Sequence, residues 1–227
     1  MNKRFFISSL SAIALIAAVG SSAVAGEAID PADFGGAIDN PWLPLTPGTV
    51  LTYKGTKDDT PAALVVTVTN KIKAVSGVNC VAVEELVSLA GKPVDRTVGY
   101  YAQDKDGNVW TFGEDVQELN SKGKVIKTEC WHAGIDGASP SMVMEAAPAK
   151  GHTLINIYTN DRSEVVSLAK PVKTPFGSYK GALMTKEWTP DEPDVLVNKY
   201  YVRDIGTVRD VAVEGDKEEF LLVDVKH

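Results

Sequence analysis

Cysteine and histidine are scarce in this chain: two and three, respectively, among 227 residues. The histidines, His132, His152 and His227, show no H-x-x-x-H or H-x-H spacing, so a zinc site would need ligands gathered from distant segments. No G-x-G-x-x-G or phosphate loop occurs. Gly137-Ala138-Ser139-Pro140-Ser141 misses the G-x-S-x-G nucleophile elbow, because Ser141 stands where the second glycine is required. Nothing local therefore asks for a nucleophile, a nucleotide or a metal, and neither a cofactor nor a metal is expected.

A membrane-spanning run is missing too. The longest apolar stretch, Phe5 to Val19, is about 15 residues, short of the ~20 a spanning helix needs. It follows Lys3-Arg4 and precedes Ser21-Ser22-Ala23-Val24-Ala25, with Ala23 and Ala25 in the A-x-A relation. Basic start, apolar centre and small-residue exit predict a secretory signal over 1–25, cleaved after Ala25. The expected location is periplasmic or secreted, with no span after cleavage. Loss of Lys3 and Arg4, two of 23 basic residues against 30 acidic ones, moves the net charge from −7 to −9. Such an acidic chain lacks the basic face that a phosphate backbone demands, so nucleic acid is not an expected partner.

In an oxidising compartment an even cysteine count favours a bridge, and Cys80–Cys130 is the expected disulfide. The roughly 200 remaining residues can bury the core of one domain.

What is present in quantity is β signal. Residues 26–48 form a Pro/Gly-rich segment ending in Asn40-Pro41-Trp42-Leu43-Pro44-Leu45-Thr46-Pro47-Gly48. Its prolines exclude regular helix and predict an extended arm that lays Trp42, Leu43 and Leu45 on the body, as a lid over an apolar groove or as a cap on permanent core. From Thr49 to the end, β-branched and aromatic runs alternate with turns. Leu64–Thr69, Val78–Leu89, Arg96–Gln103, Val109–Phe112, Val116–Leu119 and Val125–Trp131 read as strands, with Gly91-Lys92-Pro93 breaking one run from the next. Residues 133–151, rich in Gly and Pro, read as a long loop with at most a helical turn near Met142–Ala146. Ser163–Ala169 is ambiguous between strand and helix, and a clear meander closes the chain from Tyr179 to Val225. The predicted fold is mainly β: 49–227 as a single antiparallel domain of roughly ten strands, in a bent or two-layered sheet.

Asp104-Lys105-Asp106-Gly107-Asn108 superficially suggests a calcium loop, but Val109 stands where an EF-hand would place its glycine, so a hairpin turn is expected. Asp191, Glu192 and Asp194 read as solvated loop acids. Trp42, Trp110, Trp131, Trp188, Tyr101 and Tyr201 are the candidate ligand-lining residues, although strand aromatics first of all pack cores.

The segments 40–49 (Asn-Pro-Trp-Leu-Pro-Leu-Thr-Pro-Gly-Thr), 101–114 (Tyr-Ala-Gln-Asp-Lys-Asp-Gly-Asn-Val-Trp-Thr-Phe-Gly-Glu) and 185–190 (Thr-Lys-Glu-Trp-Thr-Pro), with Lys199-Tyr200-Tyr201, resemble an uncharacterised family of secreted bacterial β-rich proteins. The resemblance implies an exported β protein and carries over no catalytic residue. A looser similarity is to bent-sheet periplasmic lipoprotein carriers.

Three function classes follow. The chain could be a non-catalytic envelope or secreted protein binding a small or apolar ligand or a protein partner. It could be a hydrolase or metal-assisted enzyme, which requires His132 or His152 to converge with acids such as Glu114, Asp191 or Glu192. Or it could be an accessory structural protein without a pocket.

Overall fold

The computed structural model describes residues 29–215 and 217–227. The expected signal segment lies outside them. Thirteen strands form among the described residues, in one antiparallel sheet. They are β1 (Val50–Lys57), β2 (Thr60–Val75), β3 (Val78–Leu89), β4 (Lys92–Gln103), β5 (Val109–Leu119), β6 (Val125–His132), β7 (Ser141–Met144), β8 (Thr153–Ile155), β9 (Arg162–Lys173), β10 (Ser178–Trp188), β11 (Leu196–Val202), β12 (Gly206–Glu214) and β13 (Glu218–Lys226).

The order is β6-β5-β4-β3-β2-β1-β13-β12-β11-β10-β9-β8, with β7 added to β5. Two meanders thus run outward from the β1–β13 pair, and the ladder from Val50↔Lys226 to Lys57↔Glu218 joins the first strand to the last. Two-residue turns set the early registers. Asp58-Asp59, Ser76-Gly77 and Ala90-Gly91 all have positive φ at both positions, the type I′ geometry whose twist matches that of the flanking strands.

The structure refines three local readings. The break after Leu89 holds, at the Ala90-Gly91 turn, but Lys92 and Pro93 already open β4, with Pro93 beside the bulge between Val87 and Ser88, where a missing amide is tolerated. Met142–Ala146 is not helical, because Ser141–Met144 pairs with Val109–Thr111 as β7. Ser163–Ala169 belongs to a long strand, β9.

The sheet is rolled so that its ends approach each other. Ser141 Oγ on β7 accepts from the Ile157 amide just past β8 at 3.1 Å, and Trp131 on β6 stacks on Tyr158 with centroids 5.1 Å apart. The inner face holds the main core, including Leu51, Val66, Val83, Tyr101, Leu183 and Leu222. A smaller outer cluster, Val75, Val78, Cys80, Tyr100 and Phe112 among its members, is covered by Ile29 and Phe34 from the N-terminal segment.

The expected disulfide is not formed. Cys80 is a buried free thiol on β3 and Cys130 an exposed one on β6. Two strands, β4 and β5, lie between them. At about 4.8 Å per strand, that spacing exceeds the ~7 Å Cα limit for a bridge.

Candidate binding cleft

The proline-rich arm packs on the inner face. Trp42, Leu43 and Leu45 are each no more than 6% exposed. Asn40, itself 2% exposed, fastens the segment. Its amide donates to the Gly107 and Glu145 carbonyls at 2.9 and 3.1 Å, and its side-chain oxygen accepts from the Trp42 and Leu43 backbone amides at 2.9 and 3.2 Å. The Asp204 amide then donates to the Pro41 carbonyl at 2.7 Å, tying the arm to the β11–β12 turn.

Beneath the arm the sheet leaves a small cleft with about 40 Å³ of internal space. Its walls are Leu43, Pro44 and Leu45 from the arm, Leu51 from β1, Leu64 and Val66 from β2, Ile205 from the turn and Phe220 from β13. Its polar lining residues are Tyr53, Glu85, Lys199, Thr207 and Asp210.

Strand alternation explains why charge stands there. Along β3, Val81, Val83 and Val87 face the core, and Glu85 shares their parity, so a carboxylate occupies a core position at 4% exposure. Lys199 and Asp210 are neighbours in the β11–β12 ladder, at 7% and 6% exposure. Buried charges are tolerated when they are matched by opposite charge and hydrogen bonds. Lys199 Nζ lies 2.8 Å from Glu187 Oε2 on β10. The other Glu187 oxygen accepts from Thr185 Oγ1 at 3.0 Å and from the Tyr201 hydroxyl at 3.3 Å. Burial disfavours the ammonium of Lys199, but Glu187, Tyr201 and Asp210 outweigh it and raise its pKa well above the usual lysine value. Burial, with Glu85, Asp210 and Tyr201 nearby, raises the pKa of Tyr53, so its phenol stays protonated. Its hydroxyl donates to the Thr207 carbonyl at 2.8 Å. Thr207 Oγ1 is shielded from solvent and has no hydrogen-bond partner among the described residues.

The six aromatic candidates do not converge on this cleft. Trp42 packs in the arm with Arg203 4.6 Å above its ring. Tyr101 and Tyr201 are buried in the inner core. Trp131 stacks on Tyr158 and donates to Glu114 Oε1 at 3.1 Å. Trp110 belongs to the outer face, edge-on to Phe34, and donates to Asp104 Oδ2 at 2.8 Å. Trp188 ends β10 with Lys186 Nζ 4.8 Å above its ring. The residues that do line the cleft carried a different sequence signal: a charge at a core-parity position, as at Glu85.

Asp104–Asn108 is a tight turn in which the Asp104 carboxylate accepts from the Asp106 and Asn108 amides, the Asn108 side chain and Trp110. His132 meets Asp115 at 3.0 Å and Lys73 at 3.1 Å beside the outer-face Tyr100, and His152 meets Glu145 at 3.1 Å. The carboxylates they meet are Asp115 and Glu145, not the named examples Glu114, Asp191 and Glu192, and neither histidine lines the cleft. His227 is engaged with Thr49 Oγ1 at 3.2 Å. Asp191 and Asp194 are exposed in the β10–β11 loop and Glu192 is half-buried there. No group of three or more His, Cys, Asp or Glu residues suited to a metal occurs among the described residues.

No protein-family model matches the sequence, and no curated protein matches it. Two solved structures are similar in fold. One is a candidate exported protein with a YmcC-like fold from Bacteroides fragilis, 15% identical, with 82% of this chain and 99% of that one covered and a TM-score of 0.47. The other is a candidate lipoprotein from Parabacteroides distasonis, 11% identical over the same shares, with a TM-score of 0.43.

Proposed function

We propose that the chain is an exported, non-catalytic binding protein that holds a small amphiphile in the cleft beneath the proline-rich arm. The observation that carries this reading is the cleft's lining, apolar for the most part, with Glu85, Lys199 and Asp210 among it. A ligand site of this kind buries a hydrophobic body and fixes its orientation with a few polar groups. Export is supported by the three-part signal pattern over 1–25. The membership suggested by the 40–49 and 101–114 motifs is consistent with the reading and adds no activity to it.

The test is to block the mouth without hollowing the core. Ile205 is half-buried at the rim, so Ile205→Trp adds bulk where the ligand would enter. The apolar fluorophore N-phenylnaphthylamine should bind the unaltered chain and lose at least about tenfold in affinity with the variant, or about 1.4 kcal/mol. Unchanged probe binding by a folded variant would remove the cleft from consideration.

A further inference from the structure

We propose that the free edge of β6 is an interface whose partner is a second copy of this chain, bound antiparallel, β6 to β6, about a two-fold axis at Thr128. This goes beyond the cleft reading and does not rest on it.

Strand β6 is one end of the sheet and, among the described residues, pairs with β5 alone. Val125, Ile126, Lys127, Thr128 and Cys130 are all exposed there, Ile126 at 62%. The other end of the sheet is blunted. β8 has three residues, and past it β9 carries Lys170, Pro171 and Lys173. Short strands, lysines and proline discourage an edge from pairing with another chain. β6 has eight residues and neither proline nor glycine, and its lysine, Lys127, stands beside an acid, Glu129. Its irregularity lies near its start, where Ile126 is the extra residue opposite the Glu118–Leu119 step. From Lys127 to His132 the ladder is regular.

Hydrogen-bond direction alternates along that ladder. The Ala133 amide donates to the Phe112 carbonyl at 2.8 Å, and the register holds without a shift from Gly113↔His132 to Glu118↔Lys127. Trp131, Glu129 and Lys127 therefore aim their backbone groups at β5, while Cys130 and Thr128 aim theirs outward. In an antiparallel pair centred on Thr128, the two Thr128 residues exchange amide and carbonyl bonds across the axis. Lys127 of each chain then stands across from Glu129 of the other, once on each side of the axis. A two-fold interface requires such a self-complementary patch. Opposite charges directly across strands favour pairing, and like charges oppose it. Within one chain Lys127 and Glu129 share a face, 3.0 Å apart, so two copies form a network of four charges. The charges also select the register. Centring on Lys127 or on Glu129 would set like charges face to face. Centring on Cys130 would set Glu129 across from Trp131 and Lys127 across from Ala133, with no charge matched.

The experiment is analytical ultracentrifugation of the full mature chain from low to high micromolar concentration, where a monomer–dimer equilibrium is expected. Lys127→Glu and, separately, Glu129→Lys should each weaken dimerisation about tenfold, because each sets like charges across from one another at both positions. An equimolar mixture of these two variants should dimerise as the parent does, because acid again faces base. Thr128→Pro should abolish the dimer and keep the fold, since the amide it removes does not serve β5. Lys127 and Thr128 are exposed and Glu129 half-buried, so all three variants should keep the parent's far-ultraviolet circular dichroism. A parent that stays monomeric throughout would overturn the proposal. A dimer indifferent to all three substitutions would overturn it too, because it would use another surface. So would a loss in both charge variants that mixing does not restore. None of these outcomes touches probe binding in the cleft, so the two readings fail separately.

Discussion

The phenol of Tyr53 on β1 donates to the backbone oxygen of Thr207 at the start of β12, 2.8 Å away, passing over β13, the strand that lies between them. That bond joins the two meanders on the inner face, because β1 belongs to the first and β12 to the second. It also fixes part of the cleft lining, to which both residues belong. Tyr53→Phe keeps the ring and removes the link. The expected cost is about 0.5–1.5 kcal/mol in chemical denaturation, the net worth of one intramolecular hydrogen bond. A variant as stable as the parent would mean that water replaces the phenol without loss.

The two thiols should behave differently. Cys130 is exposed and Cys80 is 0% exposed beneath the outer cluster. Burial pushes the Cys80 thiol up to about 12, against smaller opposing effects of a backbone hydrogen bond and Lys73. Reactivity follows thiolate and access. A thiol reagent at neutral pH should modify one cysteine in the native protein, Cys130, and a second only after unfolding. Two unreactive sulfurs in denatured, unreduced protein would restore the disulfide that the strand spacing excludes.

Much of this architecture was legible in the sequence. β3 has the bounds expected of it, Val78–Leu89, because β-branched residues alternate between two clear breaks. The closing meander was equally plain. What failed did so for local reasons that tertiary pairing overrides. Ser141–Met144 becomes a strand only because Val109–Thr111 offers an edge, a partner 30 residues away that no local propensity reports. The aromatics misdirected the site: Trp131 and Tyr101 satisfy packing, as strand aromatics usually do. Period-two reading of β3 would have placed Glu85 inward among valines, and that is where the cleft has its charge.

A buried acid, Asp95, and a half-buried one, Asp161, predict an unusual pH response. Burial is the largest effect on Asp161; Glu187 adds to it, while Thr159 and Lys199 oppose, and its carboxyl is raised to about 7. Asp95, raised mainly by burial with Glu118 adding and Thr97 opposing, reaches about 6. In both, the folded state holds its proton to higher pH than the unfolded chain does. Between the ordinary aspartate value and these raised ones, the native protein therefore binds more protons. Stability should fall as pH rises through that window, by up to about 1.4 kcal/mol per unit for each group fully protonated only when folded. Denaturant midpoints are expected to be higher at pH 5 than at pH 8. Asp161→Asn should flatten the slope above pH 6. A parent curve that rises over the same range would contradict the assignment.

The arm poses the last test, because it both caps core and walls the cleft. Its prolines limit the freedom lost on ordering. The segment is not extended throughout but turns at 41–43 with its own backbone bonds, Leu43 amide to Asn40 carbonyl and Leu45 amide to Ile38 carbonyl, and the Asn40 side chain adds four more. Trp42 is 6% exposed and does not line the cleft, whereas Leu43, Pro44 and Leu45 do. The two roles should therefore separate by residue. Trp42→Ala removes a core ring and should cost roughly 3–5 kcal/mol, as large-to-small core changes do. Asn40→Ala takes the acceptor from the Trp42 amide, leaves the Leu43 amide only the Asn40 backbone carbonyl, and removes a donor from two carbonyls, at about 1–3 kcal/mol for each buried group left unsatisfied. Pro44→Ala removes little packing and relaxes the chain at the cleft rim, so stability should fall by about 1 kcal/mol or less. If the arm opens to admit ligand, Pro44→Ala should speed probe entry in stopped-flow fluorescence while Trp42→Ala mainly lowers the unfolding midpoint. If the arm is permanent core throughout, every arm substitution should change stability, and none should change the rate at which a probe enters the folded protein.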